Sequence, residues 1–190
     1  MVTHLGFKVR PLSARVRVGV TDRGVDLPRT HLLLEVRIDD ADWITDVGVG
    51  AASLTRALRL EADTEQVTPH DRRRLQHVAG KWYHQILRDG AWQDVYEFTG
   101  ETMPLIDRTV GNWYTSTHPD SKFRKNLAVA LARPDGGRVT LHNNTLAQYG
   151  TEGPVERTDV SAPEALRAAL RAHFGINLRT GARIHWPATD

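Results

Sequence analysis

The stretch PRTHLLLEVRIDDADWITDVGVG, residues 28–50, predicts a β-hairpin, because two apolar runs flank a polar turn. His31 opens the first predicted strand and Asp46 nearly closes the second. If Ile38 and Trp43 flank the turn, His31 and Asp46 lie on one face of the sheet, since side chains alternate along a strand. In that register they are about 13 Å apart along the ladder, at about 3.3 Å per residue. Contact between them requires a bulge or a different register.

Two interpretations of this pair follow from the residue types. A strand histidine satisfied by a backbone carbonyl, beside a turn aspartate, is a common structural arrangement. If the two side chains meet, Asp46 would accept a hydrogen bond from one ring nitrogen, while His31 would take the proton of a nucleophile. Such a pair activates a serine or a cysteine. The 190 residues contain no cysteine, and no serine lies in a recognisable nucleophile motif.

The composition, 40% hydrophobic and 25% charged over 190 residues, is typical of a globular protein with one domain or two small ones. No apolar run reaches the roughly 18 residues of a membrane helix, and the first residues lack signal-peptide features, so we expect a cytoplasmic protein. The absence of cysteine excludes disulfides and thiolate metal sites. The other histidines lack ligand spacing, so no metal site is expected. These histidines are His4, His70, His77, His84, His142, His173 and His185, while His118, before Pro119, is expected to be structural in a turn.

The charge is nearly balanced, at +2 from 25 basic and 23 acidic residues. One dense basic cluster, DRRRLQH, occupies residues 71–77. It predicts a solvated strand face, with the binding of an anionic group such as a phosphate as the alternative. Nucleic-acid binding is disfavoured because no broad basic stripe with interleaved aromatic residues accompanies the cluster.

Short strands dominate the first hundred residues. The runs KVRPLSARVRVGV, RRLQHVAG, KWYHQILRDG and AWQDVYEF are rich in β-branched and aromatic residues. Gly80 and the Asp89-Gly90 pair mark turns between them. Several short strands with regular turns predict a small antiparallel barrel or sandwich.

The pattern becomes mixed after Pro104. Residues 105–123 are compatible with a turn of helix before a loop, and residues 126–150 predict two strands joined at 134–137.

The last segment predicts the clearest helix. Ser161 and Glu164 have the spacing of a capping box, Pro163 suits the first turn, and Gly175 suits the end. The apolar stripe of this helix predicts core packing. It consists of Leu166, Ala169, Leu170 and Phe174.

Several motifs together resemble the arylamine N-acetyltransferase family. The main resemblance lies in THLLLEV followed by DVGVG, which contain His31 and Asp46. It is strengthened by LGFKVRPLSARVRVG near the start, YEF at 96–98, NWYTSTHPDSKF at 112–123, and LHNNTLA and LRAHFGI towards the end. The motifs cover nearly the whole chain in the family's order.

The resemblance implies an α+β fold related to the cysteine proteases, with a small antiparallel β-barrel at 1–110 that carries the His/Asp pair and an α/β lid at 111–190. It also implies ping-pong acetyl transfer from acetyl-CoA, the acyl donor, to an aromatic amine or hydrazine. His31 and Asp46 match the triad histidine and aspartate. The family's nucleophilic cysteine lies in an N-terminal helical domain, so we expect a truncated chain that cannot form an acetyl-enzyme by itself.

Two other functions are compatible with the sequence. One is an inactive remnant that binds CoA or a partner chain, such as the helical domain, through the surface that this domain would cover. The other is an unrelated small β-barrel binding module. We expect neither nucleic-acid nor membrane partners.

The resemblance also assigns residues around the pair. Gly48 and Gly50 match a glycine-rich loop that approaches the cofactor, although a strand-end turn would use glycines too. Val49 replaces an aromatic residue of the family and would widen or flatten the acceptor pocket. Phe123 matches a phenylalanine that lines this pocket, with simple core packing as the alternative. The loop also departs from the family's pattern at Ala51, Leu54 and Ala57, which would loosen it.

Overall fold

A computed structural model describes residues 2–150, 153–179 and 181–182 of the chain. The chain divides into two compact units, and the division falls between Tyr114 and Thr115. Within the described residues, none of the helices combines the length and the apolar character needed to cross a membrane.

The first unit is built on an antiparallel sheet. Its strands are β1 (Lys8–Val16), β2 (His31–Ile38), β3 (Ala41–Thr45), β4 (Leu58–Arg59), β5 (Gln66–Val67), β6 (Arg72–Val78), β7 (Lys81–Arg88) and β8 (Ala91–Thr102). Their spatial order among the described residues is β4-β3-β2-β1-β8-β7-β6-β5. Short 3₁₀ turns lie at Val2–Leu5 and Gly50–Ala52. The predicted antiparallel barrel is therefore confirmed.

The two ends of this sheet approach each other, which nearly closes the barrel. The side-chain amide of Gln66 in β5 donates to the carbonyl of Arg59 in β4 at 2.9 Å, and its oxygen accepts from the Arg59 N–H at 2.8 Å. An isolated bridge also joins Ala62 to Leu75 of β6. Closure protects the edge strands, whose backbone groups would otherwise be unpaired.

The interior of the barrel is filled by alternate side chains from most of its strands. They form one apolar cluster of Leu12, Ala14, Leu33, Ile44, Ala52, Leu54, Leu58, Leu75, Ile86, Val95, Tyr96 and Phe98. Two arginines, Arg17 and Arg73, are also fully buried in this unit.

The β2–β3 hairpin has a tighter turn than the sequence suggests. Ile38 pairs with Ala41, so the turn contains two residues and the register with Trp43 beside Ile38 is wrong. Asp39 adopts a φ of 51°, a left-handed conformation that aspartate tolerates. The tighter turn shifts β3 by two residues and brings Asp46 closer to His31.

Helix α1 (Leu105–Thr117) is longer than the single turn of helix expected at this position. Gly111 lies near its middle and is buried. In the structure, a methyl group at Gly111 would lie 3.5 Å from the Thr30 Cα, so the glycine permits close approach of the backbone before β2.

The second unit combines an antiparallel sheet with a packed helix. It contains α2 (Lys122–Lys125), β9 (Ala128–Ala132), β10 (Arg138–His142), β11 (Thr145–Gly150), β12 (Gly153–Asp159) and α3 (Pro163–Phe174). Residues 126–150 thus hold three strands where the sequence predicts two. The missed turn contains Asn143 at a φ of 52°, which asparagine adopts readily.

Helix α3 covers this sheet with the predicted stripe. Leu166, Ala169 and Leu170 are buried against residues of β10 and β11. The predicted capping box is wrong, because the cap residue is Ala162 and the Ser161 side chain instead bonds Asp159. Gly175 ends the helix at a φ of 67°, as predicted.

Candidate active site

The structure brings His31 and Asp46 into direct contact. Nε2 of His31 lies 2.8 Å from Oδ2 of Asp46, and the two side chains are only 10% and 2% exposed. Because an ionised carboxylate only accepts hydrogen bonds, Nε2 carries the proton and Nδ1 is the basic nitrogen. The pair therefore has the arrangement in which a carboxylate orients a histidine base.

The hairpin explains how the two side chains meet. The β2–β3 ladder ends where Leu34 pairs with Thr45, and its continuation would place Gly48 opposite His31. Asp46 is two residues from that position, hence on the same face as His31 and diagonal to it. Beyond Thr45 the chain leaves the strand, which lets the carboxylate turn towards the imidazole without a bulge.

Gly48 holds the second oxygen of Asp46. Its backbone N–H donates to Oδ1 at 2.8 Å, so both carboxylate oxygens have a partner. A methyl group at Gly48 would lie 3.5 Å from Oδ1 and 3.6 Å from Cε1 of His31. The backbone of this loop therefore runs directly beside the pair.

The remainder of the loop packs on the barrel. Val49 contacts the apolar core, and its N–H donates to Oγ of Ser53 at 2.9 Å. Gly50 adopts a φ of 54° and begins the 3₁₀ turn Gly50–Ala52. The predicted loop residues Gly48, Val49 and Gly50 thus follow Asp46 after a single intervening residue, Val47.

Two buried rings lie behind the imidazole. The Tyr96 ring centre is 5.2 Å from that of His31 and 4.6 Å from that of His84. Burial, together with the charge of Asp46, raises the pKa of Tyr96 well above its ordinary value, so the phenol is neutral. Its hydroxyl has no hydrogen-bond partner within the described part of the chain.

The predicted solvated face at 71–77 is wrong for Arg73, whose side chain is fully buried. Arg72 does fit the prediction, since it forms an exposed ion pair with Glu65. Asp71, two residues before Arg73 and so on the same strand face, pairs with the buried guanidinium. A run of three arginines carries no sequence signal of this burial.

A family model described as N-acetyltransferase matches residues 1–183. The chain belongs to this family. The arylamine N-acetyltransferase / N-hydroxyarylamine O-acetyltransferase of Salmonella typhimurium is 36% identical over 175 residues, which are 92% of this chain and 61% of that protein. The chain thus spans less than two thirds of the length of this curated relative.

Solved structures of arylamine N-acetyltransferases have the same fold. The Mycobacterium tuberculosis structure matches with a TM-score of 0.85 and 36% identity, covering 93% of this chain and 65% of that one. The Mycobacterium marinum enzyme in complex with CoA matches with a TM-score of 0.86 and 33% identity, with the same coverage of both chains. The resemblance in the sequence motifs is therefore confirmed.

The remaining residue that the arylamine N-acetyltransferase resemblance assigns is Phe123, and it lies in the second unit. It is part of α2 and is 72% exposed, so its alternative interpretation as a core residue is wrong. His31, Asp46, Gly48 and Val49 form one site within the first unit.

Potential metal ligands are not clustered in the described part of the chain. Within residues 2–150, 153–179 and 181–182, no group of three or more histidine or acidic side chains is arranged to hold an ion. His185, the last histidine considered from the sequence, lies outside the described residues.

Proposed function

We propose that His31 and Asp46 are two members of a Cys–His–Asp triad that transfers an acetyl group from acetyl-CoA to an aromatic amine or hydrazine. The main support is the 2.8 Å contact between Nε2 of His31 and Oδ2 of Asp46 at a nearly buried site. The thiol would come from outside these 190 residues, since they contain no cysteine.

In this proposal Nδ1 of His31 removes the thiol proton. The thiolate attacks the carbonyl carbon of the acetyl group, the bond to the CoA sulfur breaks, and the imidazolium returns its proton to the departing CoA thiolate. The amine nitrogen then attacks the enzyme thioester and releases the cysteine sulfur. His31 takes the proton that the amine loses, while Asp46 stabilises the imidazolium in both steps.

The loop after Asp46 is proposed to receive the acyl donor. The Mycobacterium marinum relative is solved with CoA, which supports CoA as the ligand class. At Gly50 a methyl group would meet no atom within 4 Å, so there is open space beside this backbone. We propose that Gly48 and Gly50 approach the cofactor and that Val49 lines the acceptor pocket.

Exposed apolar side chains next to the pair are proposed to receive the thiol-bearing segment. Val47, between Asp46 and Gly48, is 92% exposed, whereas the 37% exposed Leu32 points to the opposite face of β2 from His31. Apolar residues exposed in such a place often mark an interaction surface. A helical domain docked there would bring its cysteine to Nδ1 of His31.

The test supplies the missing thiol. The part of the Salmonella typhimurium relative that the match leaves uncovered is fused to this chain, and acetylation of an aromatic amine is measured with acetyl-CoA. We expect activity in the fusion and loss of at least about 100-fold of kcat in H31Q and D46N. The H77Q variant, on the exposed surface of β6, should remain active. Full activity of H31Q would contradict the proposal.

A second candidate is CoA binding without acetyl transfer, and the lack of cysteine favours it. The unfused chain is incubated with acetyl-CoA carrying a labelled acetyl group and analysed by mass spectrometry and calorimetry. Both candidates predict that the chain by itself forms no stoichiometric acetyl adduct. Only the second predicts CoA binding together with an inactive fusion.

A further inference from the structure

Arg73 uses every donor of its guanidinium inside the barrel. Nε and one terminal nitrogen donate to the two carboxylate oxygens of Asp71 at 2.5 and 2.8 Å. The terminal nitrogens also donate to the carbonyls of Ala52 at 2.8 Å and Ser53 at 3.2 Å, and to Nε2 of His84 at 3.1 Å. Five N–H groups thus have five acceptors, an arrangement that fixes the guanidinium plane.

The acceptors of Arg73 include the loop that borders the candidate active site. Ala52 and Ser53 end the 3₁₀ turn that begins at Gly50, and the hydroxyl of Ser53 accepts from the N–H of Val49. The next residue towards the N-terminus, Gly48, holds Asp46. A continuous set of hydrogen bonds and backbone therefore leads from Arg73 to the carboxylate.

A second series of contacts connects Arg73 to the imidazole of His31 through the rings of His84 and Tyr96. Because arginine only donates, Nε2 of His84 must accept, so the proton of His84 is on Nδ1. His84 packs against Tyr96, which packs against His31. Arg73 is thus connected to His31 through the rings of His84 and Tyr96, and to Asp46 through the loop.

We propose that Arg73 is a positioning residue for acetyl transfer: it holds the Gly48–Ser53 loop in the conformation that orients Asp46 and His31. This inference rests on the proposed function of the pair. Arg73 contacts neither member, so its effect must pass through the loop and the rings. Asp71 neutralises the charge, and Thr68 donates to Oδ1 of Asp71 at 2.8 Å, which keeps this anchor in place.

The test compares R73K with R74K in the full chain. Lysine keeps the charge but cannot reproduce the fork that joins Asp71 to two carbonyls. Arg74 is the matched control, because it lies on the same strand but bonds Gln85 at 2.7 Å and stacks on Trp92 away from the loop. Amide hydrogen exchange of Gly48 and Val49 and the NMR signal of the His31 Cε1–H are measured without substrate.

We expect R73K to accelerate exchange of the Gly48 and Val49 amides at least about tenfold and to shift the His31 signal, with the β1–β2 ladder still protected. R74K should change neither. Unchanged loop exchange in R73K would overturn the proposal, and so would equal loss of protection throughout the barrel, since Arg73 would then serve only folding.

A second variant keeps the test decisive. S53A removes the acceptor of the Val49 N–H while Arg73 stays in place, and it should reproduce the faster exchange of Val49. In the active fusion, R73K should lower kcat more than it changes the KM for acetyl-CoA. An inactive fusion would contradict the proposed function. The effect of Arg73 on the loop would still be tested, because the exchange and NMR measurements need no activity.

Discussion

The backbone N–H of Gly48 donates to the Asp46 carboxylate at 2.8 Å, so the residue that orients His31 is itself oriented by the next loop. This loop is held from the other side by Arg73. The candidate active site therefore consists of the His31–Asp46 pair, the loop backbone that bonds Asp46, and the buried guanidinium of Arg73 that bonds this loop.

The two loop glycines should respond differently to a methyl group. Gly48 lies outside the left-handed region, and its methyl group would make ordinary contacts, so G48A should fold with unchanged or up to about 1 kcal/mol higher stability. Gly50 has a φ of 54°, so G50A should lose about 1 kcal/mol. Urea unfolding of both variants checks this, and equal effects would contradict a left-handed backbone conformation at Gly50.

Removing the charge of Asp46 should affect catalysis far more than removing a similar charge elsewhere on the hairpin. In the fusion, D46N should lower kcat by about 10²- to 10⁴-fold, because His31 loses the carboxylate that fixes its tautomer. The matched control is D42N, whose carboxylate is 38% exposed and bonds Arg37 at 2.9 Å. Steady-state kinetics should show D42N within about twofold of the parent, since exposed ion pairs contribute little. Comparable losses in both variants would argue against a special role for Asp46.

The buried ion pair between Arg17 and Glu97 should be essential for stability. The two side chains are 1% and 6% exposed, and Nε of Arg17 lies 2.6 Å from the carboxylate. E97Q should lower the free energy of unfolding by about 3 kcal/mol, because it leaves a buried arginine without its counter-ion. E35Q, which breaks the more exposed pair with Arg10, should cost less than about 1 kcal/mol in the same urea titration.

The same carboxylate predicts a loss of stability in acid. Burial alone would raise the pKa of Glu97, but the hydrogen bond and charge of Arg17, with the charge of Lys81, lower it below the ordinary 4.5. Its contribution to stability is therefore complete above about pH 4.5 and disappears as the pH falls further. Unfolding measured between pH 6 and 3 should show this decline, and E97Q should flatten it.

His84 predicts a separate effect closer to neutral pH. Burial, with the charge of Arg73 next, lowers the pKa of His84 well below 6.5. The unfolded chain takes up a proton below about pH 6.5 that the folded protein does not, so stability should fall from pH 7 to pH 5. H84Q keeps an acceptor for Arg73. It should reduce the pH dependence of the free energy of unfolding by an amount equivalent to the uptake of up to one proton. If H77Q reduces the slope instead, the effect belongs to the exposed histidine of β6.

The hairpin that carries the pair could be predicted from the sequence, but its register could not. Alternating apolar residues define both strands, whereas the turn depends on Asp39 adopting a positive φ. The segment DDAD, residues 39–42, contains no glycine that would indicate a positive φ, so the sequence predicts a four-residue turn. The contact between His31 and Asp46 was therefore only one of two open interpretations.

The supporting residues were harder to predict because their partners come from distant segments. Arg73 sits in a run of three arginines, which normally indicates solvent exposure, and its acceptors at Ala52 and Ser53 are loop carbonyls without a side-chain signature. The close approach of Gly111 to Thr30 likewise joins residues that are far apart in the sequence. By contrast, the stripe and C-cap of α3 depend on local spacing and were predicted correctly.

The two-residue turn of the β2–β3 hairpin makes the contact between His31 and Asp46 depend on the length of the hairpin arms. Its tip is polar and lies at the surface, where insertions are usually harmless. Here one extra residue in either arm would turn Asp46 to the opposite face of the sheet. Two residues added between His31 and the turn would separate the two side chains by a further distance of about 6–7 Å along the ladder. Homologues that keep the contact between His31 and Asp46 should therefore vary in length beyond Gly48 rather than at Asp39 and Asp40.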